Sequence, residues 1–209
     1  MSIVLHDYEL DSESYKVRLL LSVLSIAYQK VAVNVHPGQE QRSPSYLKLN
    51  PLGTLPILVD GETVLYEAEA IIAYLAKAYD PAKSWLPDDP AAFGKVMIWL
   101  AFASRDLAAA NLARLHHMLE VPADAVEVGR ASRAAFRVMD DHMTKRELGG
   151  ASWFVGDHPT LAEIALFPAI ALSRDFGIDH DEYPALRRWM RRVRTIPGFI
   201  TMPGIPDYH

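Results

Sequence analysis

Hydroxyl and carboxylate side chains are concentrated just ahead of the first apolar helical stripe of the sequence. Asp11, Ser12, Glu13 and Ser14 are consecutive, and the stripe begins at Val17. Serine favours the start of a helix because its side-chain oxygen accepts a hydrogen bond from an N–H group that the helix leaves unpaired. We expect Ser12 or Ser14 to cap this helix. A hydroxyl at a helix N-terminus can also stabilise an anion.

Cysteine is absent from the sequence. This excludes disulfides, thiolate metal sites and a protein thiol nucleophile. His116 and His117 are adjacent, and neighbouring residues on a helix point to different sides. We therefore predict no metal site.

The charge balance is acidic, with a formal net charge of -5. The chain thus lacks the basic excess that a phosphate backbone attracts, and we expect no nucleic-acid partner. A basic run lies near the end of the chain, and we interpret it as a solvated or salt-bridged helix face. It consists of Arg187, Arg188, Arg191, Arg192 and Arg194.

The first ten residues include His6, Asp7 and Glu9, which is unlike a basic leader followed by an apolar run. Apolar stretches such as 19–21 and 108–110 are far shorter than the roughly 18 residues of a membrane span. We expect a cytoplasmic protein without a membrane partner.

The first third of the chain alternates between strand and helix periodicity. Residues 3–8 predict a strand, 17–24 a helix, and the alternating valines of 31–35 a second strand. Strand, helix and strand at this spacing favour a βαβ unit with parallel strands.

A short helix is expected at 44–49, followed by two apolar runs, 55–59 and 63–66. Asp60-Gly61 between them predicts a hairpin. A helix over 68–79 completes the order β-α-β-β-β-α, which is that of a thioredoxin-like domain.

A proline-rich segment from Asp80 to Pro90 is the expected domain boundary. We predict a thioredoxin-like domain over 1–80, a linker over 81–90 and an all-helical domain over 91–209. The expected helices of the second domain are 91–120, 123–148, one that starts at the capping box Thr160–Glu163, and 184–194.

Several segments resemble a known family. Residues 15–21 (YKVRLLL), 49–56 (LNPLGTLP) and 65–76 (LYEAEAIIAYLA) resemble three successive signatures of bacterial cytosolic glutathione transferases. Gly156-Asp157 and the capping box at Thr160 resemble a segment of the helical domain of that family. The resemblance spans almost the whole chain.

This resemblance implies a binding site for reduced glutathione on the first domain. The implied site includes Thr54, and the backbone of Leu55, before a cis Pro56, pairs with the cysteinyl peptide. Glu67 meets the α-ammonium group of the γ-glutamyl end. Ala68 stands where the family has a serine, so only its backbone N–H is left for the α-carboxylate.

The resemblance also implies a hydroxyl that lowers the pKa of the glutathione thiol, which is ordinarily about 8.5. The position of the usual serine is occupied by Asp11, which repels a thiolate unless it is protonated or turned away. Ser12, Ser14 and Tyr8 are the candidate catalytic hydroxyls.

In relatives the helix corresponding to 91–120 lines an apolar second-substrate pocket, and Arg105 and Asn111 are its candidate polar residues here. The implied activity is detoxifying conjugation of glutathione to a small apolar electrophile by a homodimer, without a metal. Two alternatives are a non-catalytic binding or interaction protein and a glutathione-dependent isomerase.

Overall fold

The computed structural model describes residues 3–205. Met1, Ser2 and residues 206–209 belong to the predicted domains but lie outside the described residues. The chain forms two compact units. One runs to Pro81 and also includes Pro197–Pro203, and the other contains Ala82–Ile196.

A four-stranded sheet in the order β2-β1-β3-β4 is the centre of the first unit. β1 is parallel to β2 and antiparallel to β3, and β3 is antiparallel to β4. This confirms the predicted βαβ unit and hairpin. The elements are β1 (Ile3–Asp7), α1 (Ser12–Val23), β2 (Tyr28–Ala32), α2 (Pro44–Leu49), β3 (Ile57–Asp60), β4 (Thr63–Tyr66) and α3 (Ala68–Tyr79).

Apolar side chains of the sheet and of two helices form the core of this unit. Leu5 and Leu58 from the sheet are fully buried, as are Leu20 of α1 and Ile71 of α3. The helical stripe of α1 and the apolar face of α3 thus fix both helices against the rest of the unit. Their N-terminal turns carry the candidate site residues.

Two predicted details of the sheet are wrong by a few residues. The second strand covers Tyr28–Ala32 rather than 31–35, because Ile3 pairs with Tyr28 and Asp7 with Ala32. In the hairpin, Asp60 pairs with Thr63. The turn residues are therefore Gly61 and Glu62, with Gly61 at φ +61.

The second unit is helical. Its helices are α4 (Pro90–Arg105), α5 (Ala108–Leu119), α6 (Ala125–Leu148), α7 (Leu161–Ala171) and α8 (Pro184–Val193), with short 3-10 helices at Ser173–Phe176 and His180–Glu182. The capping box at the start of α7 is confirmed. Glu163 accepts from the Thr160 N–H at 2.8 Å, and Thr160 accepts from the Ala162 N–H.

The single long helix predicted over 91–120 is two helices. The Leu107 N–H reaches back to the Phe102 carbonyl at 3.3 Å, outside the regular helical spacing, and Leu107 itself is buried. Within the described residues, Pro90–Leu119 is the one helical stretch whose length and composition would suit a membrane span. Core helices of soluble proteins have the same length and composition.

Candidate functional site

The N-terminus of α1 is capped by Asp11, so the expectation of a Ser12 or Ser14 cap is wrong. The Asp11 carboxylate accepts hydrogen bonds from the Ser14 N–H at 2.8 Å and from the Ser14 hydroxyl at 2.6 Å. A carboxylate is favoured over a hydroxyl here because the helix dipole adds to the hydrogen bond.

The Asp11 cap also affects the charge near the first helical turn. Burial raises the pKa of Asp11 above its usual range, although the hydrogen bonds from Ser14 oppose this. The carboxylate is directed at the helix, and its proton affinity is increased. Its orientation toward the helix N-terminus reduces its repulsion of a nearby anion.

The three candidate hydroxyls have different surroundings. Ser14 is fully buried, and its one hydroxyl hydrogen is donated to Asp11. Ser12 is the first residue of α1 and is 5% exposed. Tyr8 is half-buried just after β1, and its carbonyl accepts the Asp11 N–H at 3.0 Å. The Ser14 hydroxyl is thus committed to the Asp11 carboxylate.

Arg18 fixes the loop between β1 and α1. Its guanidinium forms a buried ion pair with Asp7, and it donates to the carbonyls of Tyr8 at 3.3 Å and Glu9 at 3.0 Å. The family-like YKVR segment therefore contributes a side chain that positions Tyr8. Sequence reasoning did not assign Arg18 a role.

The loop before β3 is held by a buried asparagine. Asn50 Nδ2 donates to the Thr54 carbonyl at 2.9 Å and to Thr54 Oγ1 at 3.0 Å, and Asn50 Oδ1 accepts from the Leu52 N–H. Sequence reasoning did not assign Asn50 a role of its own. Its side chain holds the loop segment that leads to Leu55.

Leu55 and Pro56 are joined by a cis peptide bond, directly before β3. Leu55 is half-buried. Its backbone N–H and carbonyl form no hydrogen bond with any residue in the described range 3–205. Such groups require a partner from solvent or from a ligand.

The N-terminus of α3 is open. Glu67 is its N-cap residue, is exposed, and makes no side-chain capping bond. Its φ of +70 is rare for a residue other than glycine, and such backbone strain is concentrated at ligand-binding positions. Ala68, the first helical residue, is buried, and its N–H lies at the positive end of the helix dipole.

A buried lysine ties together the N-terminal turns of α1 and α3. Lys16 Nζ lies 2.7 Å from Glu13 Oε2 and 2.8 Å from Glu69 Oε1. Burial alone would lower the pKa of Lys16, but the two carboxylates raise it above its ordinary value. Burial, together with the nearby Glu69 and Asp11, raises the pKa of Glu13 to about 7 despite the Lys16 charge.

The candidate second-substrate residues belong to the other unit and lie on different helices. Arg105 ends α4, is exposed, and donates from Nε to its neighbour Asp106 at 2.9 Å. Asn111 is half-buried on α5. Their role in binding a second substrate stays a prediction.

Both units are similar to known proteins. Residues 5–83 match the family model of the glutathione S-transferase N-terminal domain, and residues 124–192 match that of the C-terminal domain. A maleylacetoacetate isomerase of Pseudomonas aeruginosa is 30% identical over 93% of this chain and 92% of its own length.

Solved structures agree with these matches. A possible glutathione S-transferase from Rhodopseudomonas palustris has a TM-score of 0.86 and 29% identity, covering 97% of this chain and 98% of its own. A glutathione transferase homologue from Lodderomyces elongisporus, solved with two glutathione molecules per subunit, has a TM-score of 0.84 and 25% identity. It covers 95% of each chain.

Proposed function

Because the chain belongs to the glutathione S-transferase family, we propose that it binds reduced glutathione on its first unit and adds the thiolate to a small apolar electrophile. The thiol proton passes to solvent and the sulfur lone pair forms the new S–C bond. Either a leaving group departs with its electron pair, or the adduct takes up a proton.

The observation that carries this proposal is the unpaired backbone of Leu55 beside the cis Pro56. A free N–H and carbonyl at the start of a strand can pair with an extended peptide, as in strand addition. Glutathione is a tripeptide, and its cysteinyl residue supplies the complementary N–H and carbonyl. Thr54, held by Asn50, lies next to this position.

The γ-glutamyl end is assigned to the N-terminus of α3. The exposed Glu67 carboxylate suits the α-ammonium group, and the Ala68 N–H suits the α-carboxylate. The serine hydroxyl of the family is missing at Ala68. Since a hydrogen bond to a charged group contributes about 1.5–3 kcal/mol, we expect glutathione to bind roughly tenfold to a hundredfold more weakly than with a serine there.

Thiol activation is assigned to the start of α1. Ser12, the first residue of α1, is the preferred hydroxyl. The Ser14 proton is donated to Asp11. Tyr8 is the alternative, positioned by Arg18 through the loop. A single hydroxyl donor and the helix dipole stabilise a thiolate and so lower the thiol pKa.

Glutathione-dependent isomerisation is a second candidate, favoured by the 30% identity to a maleylacetoacetate isomerase. In such a reaction glutathione adds to the substrate and is released again, so it is not consumed. Depletion of free thiol during turnover separates the two, because conjugation consumes one glutathione per product and isomerisation consumes none.

We further propose a cytoplasmic homodimer with a detoxifying role and neither a nucleic-acid nor a membrane partner. The acidic net charge of -5 disfavours nucleic acid. Both units carry exposed large apolar side chains that an isologous interface could cover. They include Val64 and Tyr79 in the first unit, and Phe93, Met97 and Ile98 in the second.

Calorimetric titration with reduced glutathione tests the proposal. We expect saturable binding at one site per chain, and a loss of affinity of about tenfold or more in Glu67→Ala. Glu62→Ala is the matched control, because Glu62 is an exposed carboxylate in the hairpin turn of the same unit. If the wild-type protein shows no binding, or if both variants weaken it equally, the assigned site is wrong.

A further inference from the structure

The basic run of α8 is divided between two faces of the helix. Arg188 and Arg192 pair with Glu147 of α6, at 2.5 Å and 2.8 Å respectively. These two arginines therefore form the salt-bridged face that the sequence predicts. The other three arginines of the run lie on a different face of the helix.

Arg187, Arg191 and Arg194 follow the spacing i, i+4 and i+7, which places them on one side of the helix. They line a cavity of about 300 Å³ together with Arg174 from the 3-10 helix Ser173–Phe176. Ala171 and Met190 supply apolar wall. Four guanidinium groups from two elements thus share one concave site.

The carboxylates around this cavity do not balance its positive charge. Asp181 lies 3.1 Å from Arg187, and Asp179 lies 2.9 Å from Arg174. Arg191 and Arg194 form no ion pair with any of residues 3–205. The C-terminal dipole of α8 favours cations in its last turn, but it does not account for the approach of Arg174 and Arg187 to the same cavity.

The residues around this cavity do not suit a metal ion. Asp179, His180 and Asp181 bring three potential ligand atoms within 4.8 Å of one another. Both carboxylates, however, already contact Arg174, at 2.9 Å and 3.7 Å. A cation there would have to displace guanidinium groups and face the positive charge of the rest of the cavity.

We propose that this cavity binds the dianionic phosphoryl group of a small molecule. Guanidinium groups recognise phosphate oxygens through paired N–H donors, and several can share one tetrahedral dianion. The volume lies at the lower end of the range of about 300–1,000 Å³ for ligand pockets. It leaves room for an organic group against Ala171 and Met190.

The test is calorimetric titration of the full-length protein with phenyl phosphate and with inorganic phosphate, at constant ionic strength. We expect saturable binding that weakens about tenfold or more in the double variant Arg191→Gln/Arg194→Gln. Arg188→Gln is the control, because it removes a guanidinium charge from the other face of α8. Its affinity should stay within about twofold of wild type.

The outcomes separate the possible ligands and are independent of the glutathione site. Tighter binding of phenyl phosphate supports an organic phosphate, and equal binding of both probes supports free phosphate as the occupant. Glutathione affinity should be unchanged in the double variant. Absence of saturable binding by either probe, or equal weakening in Arg188→Gln and the double variant, overturns the proposal.

Discussion

Lys16 offers the sharpest test of how the first unit is held together. Its side chain is 3% exposed, and it lies between the carboxylates of Glu13 and Glu69, which are 27% and 13% exposed. Lys16→Met keeps the length of the side chain and removes its charge. Two poorly solvated carboxylates are then left facing each other without a cation. Removal of one partner of a buried ion pair costs about 3–5 kcal/mol, and we expect a loss of that size in the stability of this unit.

The pH dependence of this loss follows from the pKa shifts. The pKa of Lys16 is raised in the folded protein, so its stabilising contribution is complete below its unfolded value of about 10.4 and fully present at pH 7. The pKa of Glu13 is raised to about 7 even beside Lys16, so in Lys16→Met this carboxyl holds a proton more tightly than in the unfolded chain. The repulsion between Glu13 and Glu69 is relieved as the pH falls, so the deficit should shrink between about pH 7 and pH 5.

The measurement must report on the first unit alone. All four tryptophans, Trp85, Trp99, Trp153 and Trp189, belong to the second unit, so tryptophan fluorescence would miss the change. Hydrogen exchange of peptides from α1 and α3, followed by mass spectrometry, measures local opening free energies.

Lys48→Met is the control, because Lys48 is an exposed lysine of the same unit with no ion pair among residues 3–205. It should cost less than about 1 kcal/mol. Adding Glu69→Leu to Lys16→Met should recover part of the loss, because it removes one of the unpaired charges. If Lys16→Met and Lys48→Met change the exchange equally, Lys16 does not hold the two helices.

Five further substitutions test the site and the segment around Gly198. Ala68→Ser should tighten glutathione binding by about tenfold to a hundredfold in calorimetry. Unchanged affinity would mean that the γ-glutamyl end does not bind at Ala68. Ser12→Ala should lower the conjugation rate with little change in affinity, whereas Ser14→Ala should mainly lower the melting temperature, because it removes a hydrogen bond to a carboxylate. Gly198→Ala should lower stability by roughly 1–3 kcal/mol, since its Cβ would lie 2.8 Å from a carbonyl oxygen of α1 at φ +82. Gly150→Ala, with φ +79 and no neighbour within 4 Å, isolates the backbone cost; equal losses in a thermal melt would exclude the clash.

The parts of the fold that the sequence predicts well depend on local chemistry. The capping box at Thr160 needs only residues three positions apart, and the hairpin near Gly61 needs only a turn that tolerates positive φ. The strand at 28–32 was misplaced because the alternation of 31–35 is real, while the bounds of a strand depend on pairing with β1. That pairing is a tertiary property.

The candidate site likewise combines features that the local sequence predicts with features that depend on tertiary structure. The spacing of Glu13 and Lys16 suggests an ion pair on one helix, but the third member, Glu69, lies 53 residues from Lys16 along the chain. The Leu55 backbone was identified only through a family resemblance. Its lack of partners could be seen only once the sheet register was known, because an unpaired backbone group has no signature in side-chain identity.

Asp11 raises a question that two substitutions resolve. Asp11→Asn keeps the helix cap and removes the charge, and Asp11→Ser keeps a cap and adds a hydroxyl at the position where the family has its serine. If the charge suppresses thiolate formation, both should lower the pKa of bound glutathione, which is measured from thiolate ultraviolet absorbance. If a hydroxyl donor is what matters, Asp11→Ser alone should do so, and it should raise the conjugation rate. Because the carboxylate is directed at the Ser14 N–H, we expect the second result, and a larger effect of Asp11→Asn would contradict the reasoning from its orientation.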